Sequence, residues 1–169
     1  MVDMTLNLHE ETTRLLDQVG WAILAELQAD ARISYSELGR RVGLTPPAVT
    51  ERVRRMEEAG IISGYHVRVN PAAVGLGITA MIMMEVEDCR WIADQFAVHA
   101  EENLPEILEC HRVTGSFSFV IKAAVSSVNH LEDLIDRLSK LGDVTTSIVL
   151  SSPIPAQVVD RRMLGWLNQ

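Results

Sequence analysis

The chain has 169 residues, 47% of them hydrophobic and 22% charged, with a formal net charge of -8. That balance fits one large or two small folded domains and excludes a disordered polyelectrolyte. No apolar run approaches the roughly 20 residues of a membrane helix, the first stretch "MVDMTLNLHEETTRL" has neither the basic start nor the apolar core of a secretory signal, and two lone cysteines, Cys89 and Cys110, exclude a disulfide framework.

A cytoplasmic protein without a metal or cofactor is therefore expected. Charge is uneven along the chain. Through Arg68 there are 8 basic and 10 acidic residues, and the remainder has 7 and 13. Between Arg40 and Arg55 five arginines stand with a single acid, Glu51. An acidic chain with one basic island points to a polyanionic partner at the island.

In "LLDQVGWAILAELQADAR" the residues Leu16, Val19, Ile23, Leu24 and Leu27 recur at three- and four-residue steps, which predicts a helix with one buried stripe and Asp17 as its cap. Ser34-Tyr35-Ser36-Glu37 reads as a capping box opening a short helix that stops at Gly43. Thr45 is the next cap. Pro46 and Pro47 fall in the first turn, where a missing N–H is no loss, so they start a third helix rather than break one.

In that third helix Val49, Val53 and Met56 face inward, with Ile61 and Ile62 continuing the stripe. Two helices joined by "GLT", the second cationic outside, match the helix-turn-helix layout, whose second helix enters the DNA major groove. Pro47, Thr50 and Glu51 are placed to face base edges, and a carboxylate at Glu51 can accept from cytosine N4. Thr45 at the helix start, the arginines Arg52, Arg54 and Arg55, and Ser34 with Tyr35 complete the DNA-binding set as phosphate-side contacts.

"GYHVRVNP" alternates Tyr65, Val67 and Val69 against His66 and Arg68, a half-buried strand ended by Pro71. Beyond it the pattern reads strand, helix, strand, strand, helix, strand. The elements are "ITAMIMMEVE", "CRWIADQFAVHAEEN" with Trp91, Ile92, Phe96, Val98 and His99, a hairpin "EILECHRVTGSFSFVIKAAV" turning at Gly115-Ser116, "VNHLEDLIDRLSKL" with Leu131, Leu134, Ile135 and Leu138 on one face, and "VTTSIVLSS". This βαββαβ order is ferredoxin-like: an antiparallel sheet with both helices on one face. The other face carries large apolar residues from Met81 to Val86, so self-association is expected. The tail "PIPAQVVDRRMLGWLNQ" places Val158, Val159, Met163, Leu164, Trp166 and Leu167 in an amphipathic helical pattern.

The fold expected is thus α+β: an N-terminal extension and helix-turn-helix domain (1–63), a linker strand and loop (64–77), a βαββαβ domain (78–152) and a C-terminal extension (153–169). Cys110 and His111, adjacent on a strand, point to opposite faces and do not make a metal pair. Met81, Met83 and Met84 read as packing.

The segment "LDQVGWAILAELQADARISYSELGRRVGLTPPAVTERVRRMEEAGIISGYHVRVNPAAVGL" resembles the N-terminal part of the leucine-responsive and asparagine-responsive regulators, the Lrp/AsnC family. The resemblance continues with the same element order to about Pro153, and departs at Gly20-Trp21, where the family usually has an acidic-basic pair, and at Glu51, where a basic or small polar residue is commoner. It implies a sequence-specific transcriptional regulator, not an enzyme, that binds double-stranded DNA. It also implies a homodimer, often assembled to an octamer, whose linker strand pairs with its counterpart. The resemblance further implies an amino acid or related effector bound between dimers near the hairpin, in a pocket of Thr114, Gly115, Ser116, Phe117 and Ser118 with the loop holding Asp143, Thr145 and Thr146. The family hairpin is commonly Gly-Asp-Tyr-Asp, and here both acids are serine, leaving backbone amides to hold a carboxylate.

Two other readings share part of this pattern. Some sirohaem (tetrapyrrole) decarboxylase subunits resemble the same two-domain layout, and an oligomeric small-molecule-binding module would need no DNA. The scattered His66, His99, His111 and His130 and the intact basic helix favour the regulator.

Overall fold

The computed structural model describes residues 12–154 and 157–168. The side chains at 95, 97–102 and 165–168, and with them the expectations for Val98, His99, Trp166 and Leu167, lie outside the described residues, as does the N-terminal extension through residue 11. The chain forms two compact units. Among the described residues, one holds 12–67 together with 154 and 157–168, and the other is Arg68–Pro153.

The first unit contains α1 (Gln18–Ala29), α2 (Tyr35–Val42) and α3 (Pro46–Glu58). Leu15, Ile23, Leu27, Leu38, Val49, Val53 and Met56 form its core, with Val19, Leu24, Ile61 and Ile62 packed around them. The first helix begins later than its apolar stripe suggests. Residues 12–15 make a helical turn of their own, and Leu15 rather than Leu16 is the buried member. Asp17 causes the break: its extended backbone ends one turn, and its Oδ1 accepts from the Gly20 N–H at 2.7 Å to begin the next. The two turns approach so closely that a Cβ on Gly20 would lie 1.8 Å from the Leu15 carbonyl oxygen, so only glycine fits.

The capping box of α2 is half made. Ser34 Oγ accepts from the Glu37 N–H at 3.2 Å, but the Glu37 carboxylate does not return the bond, because Arg40 and Arg41 claim it. Gly43 closes the helix in the left-handed region at φ 75°, as a C′ glycine should. Thr45 has the extended backbone of an N-cap without a side-chain bond. Pro47, at the second helical position, removes one of the two N–H groups that a cap side chain can bond, leaving only that of Ala48.

The second unit contains β1 (Ile78–Glu85), α4 (Cys89–Asn103), β2 (Ile107–Arg112), β3 (Phe119–Val125), α5 (Val128–Leu138) and β4 (Asp143–Ile148). The strands are ordered β2-β3-β1-β4 and pair antiparallel throughout, which is the ferredoxin-like arrangement. Alternation sends Ala80, Ile82 and Met84 of β1 and Phe119, Ile121 and Ala123 of β3 to one face, where Ile92, Phe96, Leu131, Leu134 and Leu138 from the helices cover them. Phe96 meets Phe119 edge-on, with ring centroids 5.6 Å apart. The three methionines therefore divide: Met84 is core, while Met81 and Met83 lie half-buried on the opposite face with Val120 and Lys122. A register shift between Ile107 and Glu109 leaves Leu108 exposed.

The expected strand over 65–69 is not formed. Among the described residues nothing pairs with it, and Val67 is 89% exposed. An extended segment becomes a strand only when its backbone groups find a second edge, and this chain supplies none there. The C-terminal segment returns to the first unit. Gln28 Nε2 donates to the Val159 carbonyl at 3.0 Å and Gln28 Oε1 accepts from the Val159 N–H at 2.8 Å. Arg161–Asn168 then forms a 3-10 helix with Met163 and Leu164 exposed.

Candidate nucleic-acid interface and effector region

The burial of Val49, Val53 and Met56 fixes which face of α3 is free. Pro47, Thr50, Glu51, Arg54, Arg55 and Glu58 are all exposed. Ser34 and Thr45, at the starts of α2 and α3, are exposed as well, and Tyr35 is half-buried. Thr50 Oγ1 donates to the Pro46 carbonyl at 2.9 Å, which holds the hydroxyl against the first turn.

Acidic neighbours occupy much of the basic island. Arg40 and Arg41 both bond Glu37, and Arg41 Nη1 also reaches Glu26 at 2.7 Å. The Glu37 carboxyl is held down at about 2 by the bonds from Arg40 and then Arg41. Arg54 forks onto Glu51 and also pairs with Glu58. The Arg54 bond lowers the Glu51 carboxyl, and Glu51 in turn raises the guanidinium. Arg52 points inward instead. It pairs with Asp17, its side chain is 23% exposed, and its Nε is buried without an acceptor among the described residues. The Gly20 N–H and then Arg52 lower the Asp17 carboxyl. Arg52 thus ties α3 to the cap of α1.

The expected effector residues gather at one end of the sheet but do not share one surface. The hairpin between β2 and β3 turns through Gly115 at φ 115°. Ser118 is its anchor: its N–H donates to the Met84 carbonyl at 2.8 Å and its Oγ accepts from the Val86 N–H at 3.2 Å. Residues 143–146 are strand and not loop. Thr145 lies opposite Met83 on the face without helices, whereas Thr146 lies opposite Ile82 on the helix face. The Thr146 Oγ1 is buried there without a partner among the described residues. Asp143, exposed at the start of β4, borders a groove of about 620 Å3 with Glu85, Glu87, Asp88, Trp91 and Lys140.

An AsnC-type helix-turn-helix domain matches residues 16–57, and an Lrp/AsnC ligand-binding domain matches residues 79–159. The chain belongs to the Lrp/AsnC family. It is similar to the HTH-type transcriptional regulator YezC of Bacillus subtilis, 39% identical over 137 residues that cover 81% of this chain and 95% of that protein. It is also similar to the solved structure of B. subtilis LrpC, with TM-score 0.75 and 32% identity over 83% of this chain and 99% of that one. The transcriptional regulator NMB0573 of Neisseria meningitidis, solved as a complex with L-Met, has TM-score 0.79 and 27% identity over 88% of this chain and 99% of that one. This Lrp/AsnC chain is a transcriptional regulator with a helix-turn-helix DNA-binding domain and a ligand-binding domain. The family match runs past Pro153 to residue 159, so the Gln28–Val159 clamp falls at its last matched position.

Other features of this Lrp/AsnC chain were not foreseen from its sequence. Glu106 is a buried carboxylate that bonds Arg137 Nη2 and His130 Nε2, the latter at 2.9 Å. Burial pushes its carboxyl up, but Arg137, His130 and its backbone together outweigh that and leave it lowered. A cleft of about 710 Å3 in the first unit is lined by Trp21, Leu24, Leu27, Ile62, His66 and Val159. Trp21 thus lines this cleft beside Leu24 and His66. The described histidines do not converge: His130 serves Glu106, and His111 lies exposed near Glu109 at 3.6 Å. Cys110 faces the core, where burial raises its thiol, and among the described residues no group of His, Cys, Asp or Glu could hold a metal. No described helix is long and apolar enough to cross a membrane.

Proposed function

We propose that this regulator binds a two-fold DNA site as a homodimer or a larger assembly, with α3 in the major groove, and that an amino acid or related small molecule shifts the binding. The observation that carries the DNA face is the exposed side of α3 opposite its buried stripe, entered by a short turn from the Ser34-capped α2 and started by Pro46 and Pro47. Pro47, Thr50 and Glu51 face the base edges. Ser34, Tyr35, Thr45 and Arg55 approach phosphate, while Arg52 and Arg54 work mainly within the protein. Self-association is supported by the half-buried apolar row of Met81, Met83 and Val120 and by the unpaired segment 65–69.

The effector reading is supported by the L-Met complex of NMB0573 and by the hairpin's backbone. Ser118 is spent on anchoring the turn, so a ligand carboxylate would be held by main-chain groups of Gly115, Ser116 and Phe117, with Thr114, Asp143 and Thr145 nearby. Fluorescence anisotropy on the DNA upstream of its own gene, at two salt concentrations and with or without the twenty amino acids, tests both parts. Specific, salt-sensitive binding that the pool shifts is expected. Binding that ignores the pool would remove the effector, and no preference over random DNA on any selected site would remove the regulator.

A further inference from the structure

Pro47, Glu51, Arg54 and Glu58 follow one another along the exposed row of α3 at three- and four-residue steps. Within this row Arg54 is held from both sides. Its Nε donates to Glu51 Oε2 at 3.0 Å and its Nη2 to Glu51 Oε1 at 2.7 Å, while Nη1 is bonded to Glu58. The three charged groups sum to -1 on the surface that must meet DNA. A row of that sign repels phosphate, and a guanidinium held on both sides is a poor phosphate clamp.

The same arrangement suits a base. A carboxylate accepts only, and each oxygen keeps further lone-pair capacity after taking one bond from Arg54. The planar fork fixes the carboxylate as a two-point contact and removes the rotamer freedom of an exposed glutamate. In the major groove two bases offer an amino donor. Cytosine presents N4–H2, whereas adenine presents N6–H2 beside the N7 acceptor, which a carboxylate repels. We propose that Glu51, held in place by Arg54, reads cytosine N4–H in each half-site and sets base specificity there, with Arg54 acting as a positioning residue. This rests on the reading of α3 as the groove-entering helix.

The test is selection of sites from a random duplex library by the full chain, at one salt concentration. Wild type is compared with Glu51→Gln, Glu51→Ala and Arg54→Met, each checked for wild-type melting. Wild type is expected to enrich a two-fold motif with a cytosine in each half-site preferred by about tenfold. Glu51→Gln moves that position toward adenine, because an amide can bond N6 and N7 together, and Glu51→Ala levels it. Arg54→Met leaves the carboxylate but frees it, and the cytosine preference falls while the rest of the motif stays. A residue that only stabilised the helix would weaken all sites alike. An unchanged motif in both Glu51 variants overturns the assignment, and a cytosine preference untouched by Arg54→Met overturns the positioning role. If wild type enriches no motif, the failure is that of the DNA-reading assignment itself.

Discussion

Asp17 joins two roles that a pair of substitutions separates. Its Oδ1 caps α1 through the Gly20 N–H, and it also carries the charge that meets Arg52 from α3. Removing a side-chain N-cap costs about 1 kcal/mol. Losing the partner of a guanidinium that is 23% exposed, with Nε already unmatched, adds about 1 kcal/mol more. Asp17→Ala is therefore expected to destabilise the first unit by about 2 kcal/mol, whereas Asp17→Asn, which keeps the cap but not the charge, loses about half of that. Hydrogen exchange resolves the two units, and the slowest amides of α1 and α3 should exchange about 30-fold faster in Asp17→Ala with those of β1 and β3 unchanged. The pH dependence has a definite sign. A carboxyl lowered by folding stabilises fully above its unfolded value near ~4 and loses that contribution as pH falls through the folded value. Equal losses in the Asn and Ala variants would refute the cap, and unchanged exchange in both would refute the whole account.

Gly20→Ala drives a methyl into the Leu15 carbonyl and should cost at least about 2 kcal/mol in the first unit, read from the same exchange experiment. Leu134→Ala, at a fully buried position between α5 and the sheet, should cost about 2–5 kcal/mol, confined to the second unit. Carbon-detected NMR should find the Glu37 carboxyl titrating near pH 2, so its pairing with Arg40 and Arg41 is complete above the ordinary carboxylate range and lost only in strong acid. A midpoint above pH 4 would show that the pairs do not form in solution. Arg55→Ala should weaken all DNA sites alike and flatten the log–log salt slope by about 0.9 per protomer, about 1.8 for a dimer, which anisotropy at four salt concentrations measures.

Much of the first unit is legible from local chemistry. The serine before α2, the glycine after it and the two prolines opening α3 act within a few residues of themselves, so their effects follow from sequence spacing. The inward positions Val49, Val53 and Met56 follow from the helical period in the same way. The order of strands and helices in the second unit is equally readable, because period-two and period-3.6 patterns alternate cleanly there. Where the reading slipped, two local preferences competed. Leu15 and Leu16 both continue the stripe, and the cap at Asp17 decided between them. Glu37 could close a capping box or bind arginine, and two guanidinium groups outbid one N–H.

The candidate surfaces divide along the same line. From the sequence alone came the exposed face of α3, the family and the hairpin turn at Gly115, since each depends on residue types at fixed spacing. Tertiary structure alone assigned the arginines their partners, turning Arg52 toward Asp17 and locking Arg54 between Glu51 and Glu58. It alone seated Glu106 under Arg137 and His130, and brought Val159 to Gln28 across 131 residues of chain. The physical reason is range. Caps, turns and periodic stripes are set by neighbours a few bonds away, whereas the partner of a charge is whichever opposite group the finished fold places within hydrogen-bond reach.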